Sequence, residues 1–252
     1  MCPYVSFLGL TLPVYGLMGV SGFLLGMLYV LLRAPRFSLS RDDAAYIYVF
    51  SAIGAVAGAK LLYILTVLPE LRSPEDWMNS LRGGLVFYGG LIGAIPAAYL
   101  SARAFKCRLR DFMPVLTPCA AIIGCLGRIG CFFAGCCYGT EWNGRFSVVY
   151  PDCSLGAPAG VPLLPVQLIE SAAQLALFLT LDIFCAEKRR AQYAAELYLI
   201  CYSCIRFVLE FFRGDAVRGF FLGLSTSQWL SAIAFSAASL CLFMRGIRKK
   251  YD

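Results

Sequence analysis

The sequence predicts an all-α integral membrane protein: seven transmembrane helices with a small extracytoplasmic cap made from the loops. Three observations predict it. Of 252 residues, 60% are hydrophobic and only 15% are charged, where a soluble domain is roughly half apolar and a quarter charged. Mean hydropathy is +0.72. Apolar stretches of bilayer-spanning length recur along the chain, and most basic residues fall in the short connections between them, as membrane topology requires.

The spans are placed at residues 10–32, 44–68, 85–102, 112–135, 166–185, 194–212 and 225–244. The first belongs to an apolar stretch without a basic leader region. It exceeds a signal-peptide core in length, so it is read as a retained helix. The second follows Arg33, Arg36 and Arg41 and keeps Lys60 within its apolar run. The third opens on a glycine-rich segment. The fourth follows Arg103, Lys106, Arg108 and Arg110 and carries Arg128. The fifth bears a polar stripe. The sixth follows Lys188, Arg189 and Arg190 and contains Arg206, and the seventh runs into Arg245, Arg248, Lys249 and Lys250. No Gly/Ser linker, low-complexity run or internal repeat divides the chain, so residues 1–252 are read as one transmembrane domain.

The connections sort by charge. One side holds the four basic groups just named, 14 residues in all. The other holds Arg72, Arg82, Arg145, Arg213 and Arg218, five in all. The positive-inside rule makes the richer side cytoplasmic, with the N-terminus outside and the C-terminus inside a plasma membrane. Residues 69–84 and 138–165 become extracytoplasmic loops. The second is rich in Gly, Pro and aromatic residues, and the two together are expected to form the cap. The net charge of +7 is a consequence of this topology, and no nucleic-acid motif accompanies it.

There are 12 cysteines and no histidine, which excludes imidazole bases, Ser–His dyads and His-ligated metals. Most cysteines sit in apolar segments, where a free thiol behaves as a small hydrophobe. Cys131, Cys136, Cys137 and Cys153 gather around a polar loop. The C-x4-C-C spacing lacks the second half of a zinc ligand pair. Buried thiols are the first reading, a disulfide to Cys153 the second, and a metal the last; neither metal nor cofactor is expected.

Four segments carry candidate chemistry. In 83–93, glycines flank Tyr88 at the outer end of a span. They serve helix packing or close approach to a ligand, and Tyr88 is either an interface anchor or a site residue. In 127–139, Arg128 lies in a glycine-broken helix, where it either forks onto a phosphate or carboxylate or snorkels to the headgroups. Gln167, Glu170 and Gln174 make a stripe at helical spacing, explained by interhelical hydrogen bonding or by ligand contact. Tyr202, Arg206 and Glu210 repeat every four residues and share one helix face, with Arg213 and Asp215 just beyond. Charges inside a span are costly unless paired or wet. Arg206 and Glu210 either pair with each other or, together with Arg128, hold an anionic headgroup.

Taken together the segments resemble the prolipoprotein diacylglyceryl transferase family. Val14-Tyr15-Gly16-Leu17-Met18 resembles that family's first-span motif, and residues 83–93 its Gly-Gly-x-x-Phe-His-Gly-Gly-x-x-Gly. Residues 127–139 resemble its signature Gly-Arg-Ile-Gly-Asn-Phe-x-Asn-Gly-Glu-x-x-Gly, and 165–170 its Pro-x-Gln-Leu-x-Glu. Residues 206–213 with Asp215 and Tyr202 resemble its late motif, and 225–228 the start of its last span. The departures are Tyr88 for the family histidine, Cys131 and Ala134 for two asparagines, and Cys136 for a glutamate.

The resemblance implies transfer of a diacylglyceryl group from phosphatidylglycerol to the lipobox cysteine in a prolipoprotein signal peptide, within the outer half of the lipid bilayer. It assigns catalysis to Arg128, Arg206, Glu210 and Tyr88. Arg128 and Arg206 would bind phosphate, Glu210 would orient Arg206, and Tyr88 would position groups in place of histidine. Substrate binding falls to Tyr15, Cys131, Cys136, Gly139, Gln167, Glu170 and Tyr202. A thiolate of Cys131 or Cys136 is the other candidate for the histidine's role. Two alternatives stand beside this: a related transferase with a different acceptor or phospholipid donor, and a non-catalytic transporter or lipid-binding protein.

Overall fold

A computed structural model describes residues 3–7, 10–82, 84–215 and 219–251. Gly83, which opens the glycine-rich motif, and Arg218, counted among the outer basic residues, lie outside the described residues. A hairpin of β1 (Tyr4–Phe7) and β2 (Leu10–Pro13) leads into helix α1 (Val14–Arg33). Then come α2 (Arg41–Val67), α3 (Pro74–Arg82), α4 (Phe87–Ala104) and α5 (Leu109–Ala134). Strands β3 (Val148–Val149) and β4 (Pro162–Leu163) pair in the long connection. Helices α6 (Val166–Phe184), α7 (Lys188–Ala191) and α8 (Ala194–Glu210) follow. A second short hairpin, β5 (Phe220–Phe221) and β6 (Leu224–Ser225), precedes α9 (Thr226–Tyr251).

Each expected span coincides with a helix of 17 to 27 residues. Five of these, at Val14–Phe37, Arg41–Val67, Leu109–Ala134, Val166–Phe184 and Thr226–Arg245, are long and apolar enough to cross a membrane. The chain is therefore a multi-pass membrane protein. Of the other two, α8 has 17 residues and carries Glu196, Arg206 and Glu210, and α4 has 18 residues. The all-α expectation needs one correction: three two-stranded antiparallel sheets accompany the helices, one before α1 and two between later helices. The segment 69–84, read as a loop, contains α3. There Ser73 and Asp76 cap each other reciprocally, Ser73 N to Asp76 Oδ2 at 2.8 Å and Asp76 N to Ser73 Oγ at 3.1 Å, the pattern of a capping box.

Helix starts follow their caps rather than the edge of hydrophobicity. Helix α2 begins at Arg41, earlier than expected, because the Ser40 hydroxyl accepts from Asp43 N and Asp42 and Asp43 occupy the first turn. Helix α9 starts at a second reciprocal cap, with Ser225 N donating to Gln228 Oε1 at 2.9 Å and Gln228 N to Ser225 Oγ at 3.2 Å.

The chain divides into two compact units, Tyr29–Leu116 and the remainder, Met1–Leu28 with Thr117–Asp252. In the first, α2 and α4 meet backbone to backbone. A Cβ on Gly58 would run into the Gly89 carbonyl oxygen, and a Cβ on Gly93 into that of Gly54. Gly54/Gly58 and Gly89/Gly93 are therefore facing pairs of small residues at four-residue spacing. For Gly89 and Gly93 the packing reading holds. Lys60 is secured in the same unit, its ammonium donating to Ser80 O at 2.7 Å and lying over the Tyr63 ring.

In the second unit the polar side chains point inward. Gln167, Glu170, Ser171, Gln174, Ser203, Arg206 and Gln228 are buried. Leu179, Ile183, Leu240 and Phe243 are exposed, as lipid-facing residues must be. Ser171 Oγ donates to Cys125 O at 3.0 Å, joining α6 to α5. Gly124 leaves room there for the Gln174 amide.

Gly58→Leu should lower the thermal unfolding midpoint in detergent, by the equivalent of about 1–3 kcal/mol of overpacking. The exposed change Ile92→Leu on α4 serves as the control. An unshifted midpoint for Gly58→Leu would argue against the glycine contact.

Candidate active site

The buried polar side chains of α5, α6 and α8 form a ladder of alternating charge. Helix α5 contributes Arg128, whose Nε lies 3.0 Å from Glu170 Oε2 on α6. The same oxygen lies 3.5 Å from Arg206 Nη1 on α8. Arg206 Nη2 reaches Glu210 Oε2 at 2.6 Å, one turn further along. Glu210 then faces Arg213 Nε at 4.0 Å. Arg213 closes a two-pronged pair on Asp215, Nε to Oδ1 at 2.8 Å and Nη2 to Oδ2 at 2.6 Å.

Three cations and three anions thus balance. An unpaired charge at the centre of a membrane helix costs about 2.5–3.5 kcal/mol on insertion scales. Glu170 is only 1% exposed, so its carboxylate depends on these partners. Tyr202 adds a hydrogen bond from its hydroxyl to Glu170 Oε1 at 3.3 Å and stacks on Tyr198 with ring centroids 5.6 Å apart. Ser227 Oγ on α9 accepts from Arg206 Nη2 at 3.4 Å. Arg206 Nη1 and Arg213 Nη1 remain buried without a hydrogen-bond partner in the protein. A buried donor left this way costs about 1–3 kcal/mol, which an anionic oxygen would recover.

The loops are fastened to this ladder. Gly139 pairs with Arg213 as an antiparallel bridge. Thr140 N donates to Phe212 O at 2.9 Å and Gly214 N to Tyr138 O at 3.0 Å. A Cβ on Gly139 would strike the Leu164 carbonyl oxygen, so glycine is needed for three backbone segments to meet there. Gln167 donates through Nε2 to Cys136 O at 2.9 Å and to the Tyr150 hydroxyl at 3.2 Å. Burial pushes that hydroxyl up to about 12, so Tyr150 stays neutral at physiological pH and accepts this bond.

The thiols gather at the end of α5. Gly135 takes φ 74°, Cys136 N donates to Cys131 O at 3.2 Å and Gly135 N to Phe132 O at 3.3 Å. These are the two bonds of a Schellman helix end, which folds the residue after the glycine back over the final turn. Cys131 and Cys136 are therefore neighbours because of the glycine between them. Cys131 is buried, Cys136 and Cys137 are half-buried and Cys153 is exposed.

Of the residues expected at the site, Arg128, Glu170, Tyr202, Arg206 and Glu210 form one contact network. Gln167, Gly139, Cys131 and Cys136 lie on the loop and helix end fastened to it. Tyr15 is the second residue of α1, about half exposed, with its ring against Gly130 of α5. Tyr88 is the second residue of α4 and half-buried in the other unit. Sequence reasoning missed Ser227, although the Ser225-x-x-Gln228 capping pattern foretold the helix start that positions it. It also missed Tyr150, for which no local pattern exists, and the place of Glu170 as the shared counter-ion.

The family described as prolipoprotein diacylglyceryl transferase matches residues 3–244. The chain belongs to that family. Among similar members, the phosphatidylglycerol–prolipoprotein diacylglyceryl transferase 2 of Clostridium perfringens (strain 13 / Type A) is 34% identical over 224 residues, covering 88% of this chain and 87% of the relative. The phosphatidylglycerol–prolipoprotein diacylglyceryl transferase of Clostridium tetani (strain Massachusetts / E88) is 30% identical, covering 88% and 89%. That of Geobacter sulfurreducens (strain ATCC 51573 / DSM 12127 / PCA) is 33% identical, covering 86% and 84%.

In this prolipoprotein diacylglyceryl transferase family member, Glu170→Gln keeps an acceptor for Tyr202 but strips both guanidinium groups of their shared counter-charge. A stability loss of about 3–5 kcal/mol is expected, read by denaturation in detergent. Combining it with Arg128→Gln should cost less than the sum of the single changes; strict additivity would show that the pair does not interact.

Proposed function

We propose that this protein transfers the diacylglyceryl group of phosphatidylglycerol to the lipobox cysteine of prolipoproteins. The observation that carries the reading is the convergence of Arg128 and Arg206 on a single carboxylate oxygen, in a chain of this family. In the reaction the substrate thiol gives up its proton and its sulfur attacks a glycerol carbon. A carbon–sulfur bond forms, the carbon–oxygen bond to phosphate breaks, and glycerol phosphate leaves with the electron pair. Charge grows on the departing phosphate, so fixed cations aimed at it favour the transition state over the bound lipid.

Glu170 and Glu210 hold the guanidinium planes, so little reorganisation accompanies that growth. Arg206 Nη1 is the donor we assign to a phosphate oxygen, because it is buried and has no hydrogen-bond partner in the protein. Arg128 is the more exposed of the two arginines, with 19% of its side chain accessible, and we assign it the approach of the lipid headgroup. Tyr15 and Tyr202 bind the headgroup, and Gly139 keeps its loop close to the site. The signal peptide of the prolipoprotein supplies the acceptor thiol.

The same reading includes seven spans, with the N-terminus outside, the C-terminus cytoplasmic and residues 69–84 and 138–165 as an outer cap. The distribution of basic residues supports it. Tyr88, Cys131 and Cys136 stand where the resembled motifs carry histidine, asparagine and glutamate, which favours a second reading in which the acceptor is a different thiol or hydroxyl.

Incubation with phosphatidylglycerol and a lipobox peptide should add the mass of a diacylglyceryl group to the peptide. Arg206→Ala should lower the rate by on the order of 10²–10³-fold, as loss of a group stabilising developing charge does, and Arg206→Lys should restore little. An unmodified peptide, together with failure to support a strain depleted of its own transferase, would defeat the proposal. For topology, a fluorescent protein fused at the C-terminus should fluoresce, and a phosphatase inserted after Cys153 should be active; the reverse pattern would invert the assignment.

A further inference from the structure

The Sγ atoms of Cys131, Cys136 and Cys137 all lie within 4.8 Å of one another. We propose that these three thiols form a binding site for a soft d10 metal ion such as Zn2+, Cd2+ or Cu+. The sequence spacing shows only two cysteines side by side and a third five residues earlier, which is a poor ligand pattern. The fold changes that. The Schellman end at Gly135 lays Cys136 over Cys131, with its thiol 3.8 Å from the Cys131 carbonyl oxygen.

Cys137 then takes φ 59°, a left-handed conformation that costs a side-chain-bearing residue about 1–2 kcal/mol. Strain of this kind gathers at functional positions. The neighbouring cross-links, Gly214 N to Tyr138 O and the Gly139–Arg213 bridge, hold the backbone there.

The donor set fits one class of ligand. All three donors are sulfur, and soft thiolates select Zn2+, Cd2+ or Cu+ over hard cations. A trigonal site with metal–sulfur distances of about 2.3 Å needs sulfurs roughly 4 Å apart, so the present arrangement has only to tighten. Cys131 is buried while Cys136 and Cys137 are half-buried, which leaves a way in.

Charge also fits. Three thiolates around a divalent ion carry one net negative charge. The backbone of Arg213 pairs with Gly139, two residues beyond Cys137, so a cation stands close by. Each thiol that ligates gives up its proton, so uptake of the ion releases protons and strengthens as pH rises. The site does not depend on the transferase reading.

The test uses the full-length protein, reduced and in detergent, titrated with Cd2+. Roughly one equivalent should bind per chain, with thiolate-to-metal charge-transfer absorption, and that absorption should vanish in the C131S/C136S/C137S variant. Because that variant could fold poorly, alkylation of the wild-type protein provides a second reading. With Cd2+ present, Cys131, Cys136 and Cys137 should be protected while the exposed loop residue Cys153 still labels. No charge-transfer absorption, equal labelling of the three thiols with and without Cd2+, or full binding by the folded triple variant would each overturn the site.

Discussion

One buried carboxylate organises the second unit of this protein. Glu170 receives Arg128 from α5, Arg206 and Tyr202 from α8, and is itself fixed on α6. Three helices therefore have a common electrostatic point inside an apolar exterior. In such surroundings a carboxylate and two guanidinium groups are unfavourable separately and tolerable together. The packing of α5, α6 and α8 follows from that requirement as much as from apolar contact, since lipid competes for every hydrophobic side chain.

The two units solve the packing problem differently. Helices α2 and α4 rely on absent side chains, letting main chains touch at Gly54, Gly58, Gly89 and Gly93. Around Glu170 the helices rely on polar side chains with assigned partners, such as Ser171 on the Cys125 carbonyl. The first device is indifferent to what lies nearby. The second ties the position of each cation to its neighbours, which is what preorganised charge requires.

Much of this could be read in the sequence. The helix positions followed from hydropathy, and the shared face of Tyr202, Arg206 and Glu210 followed from helical periodicity. The spacing of the 83–93 glycines allowed for helix packing, but that Gly54 and Gly58 of α2 are their partners emerged only from the structure. What could not be read was which of several acids an arginine would meet. Glu210 lies one turn from Arg206 and is visible from periodicity, but Glu170 is 36 residues distant in the chain and only tertiary structure brings it in. The thiol group was obscured for a related reason. A ligand pattern is usually sought at fixed spacings, and here a left-handed glycine and a left-handed cysteine set the geometry. Helix α3 and strands β3 and β4 were lost within segments whose composition says only that they are connections, and β2 (Leu10–Pro13) was hidden in the apolar stretch taken as the start of the first span.

The alternation of charge along the ladder has a consequence for biogenesis. Helix α8, with 17 residues and three charged side chains, is poorly suited to enter lipid by itself. Its partners α5 and α6 precede it in the chain, so Arg128 and Glu170 can already neutralise each other when α8 emerges. Arg206 arrives with Glu210, and Arg213 with Asp215. Once α6 has followed α5, the charges of the ladder thus arrive in balanced pairs, whereas Glu196 of α8 meets its partner Arg245 only when α9 follows.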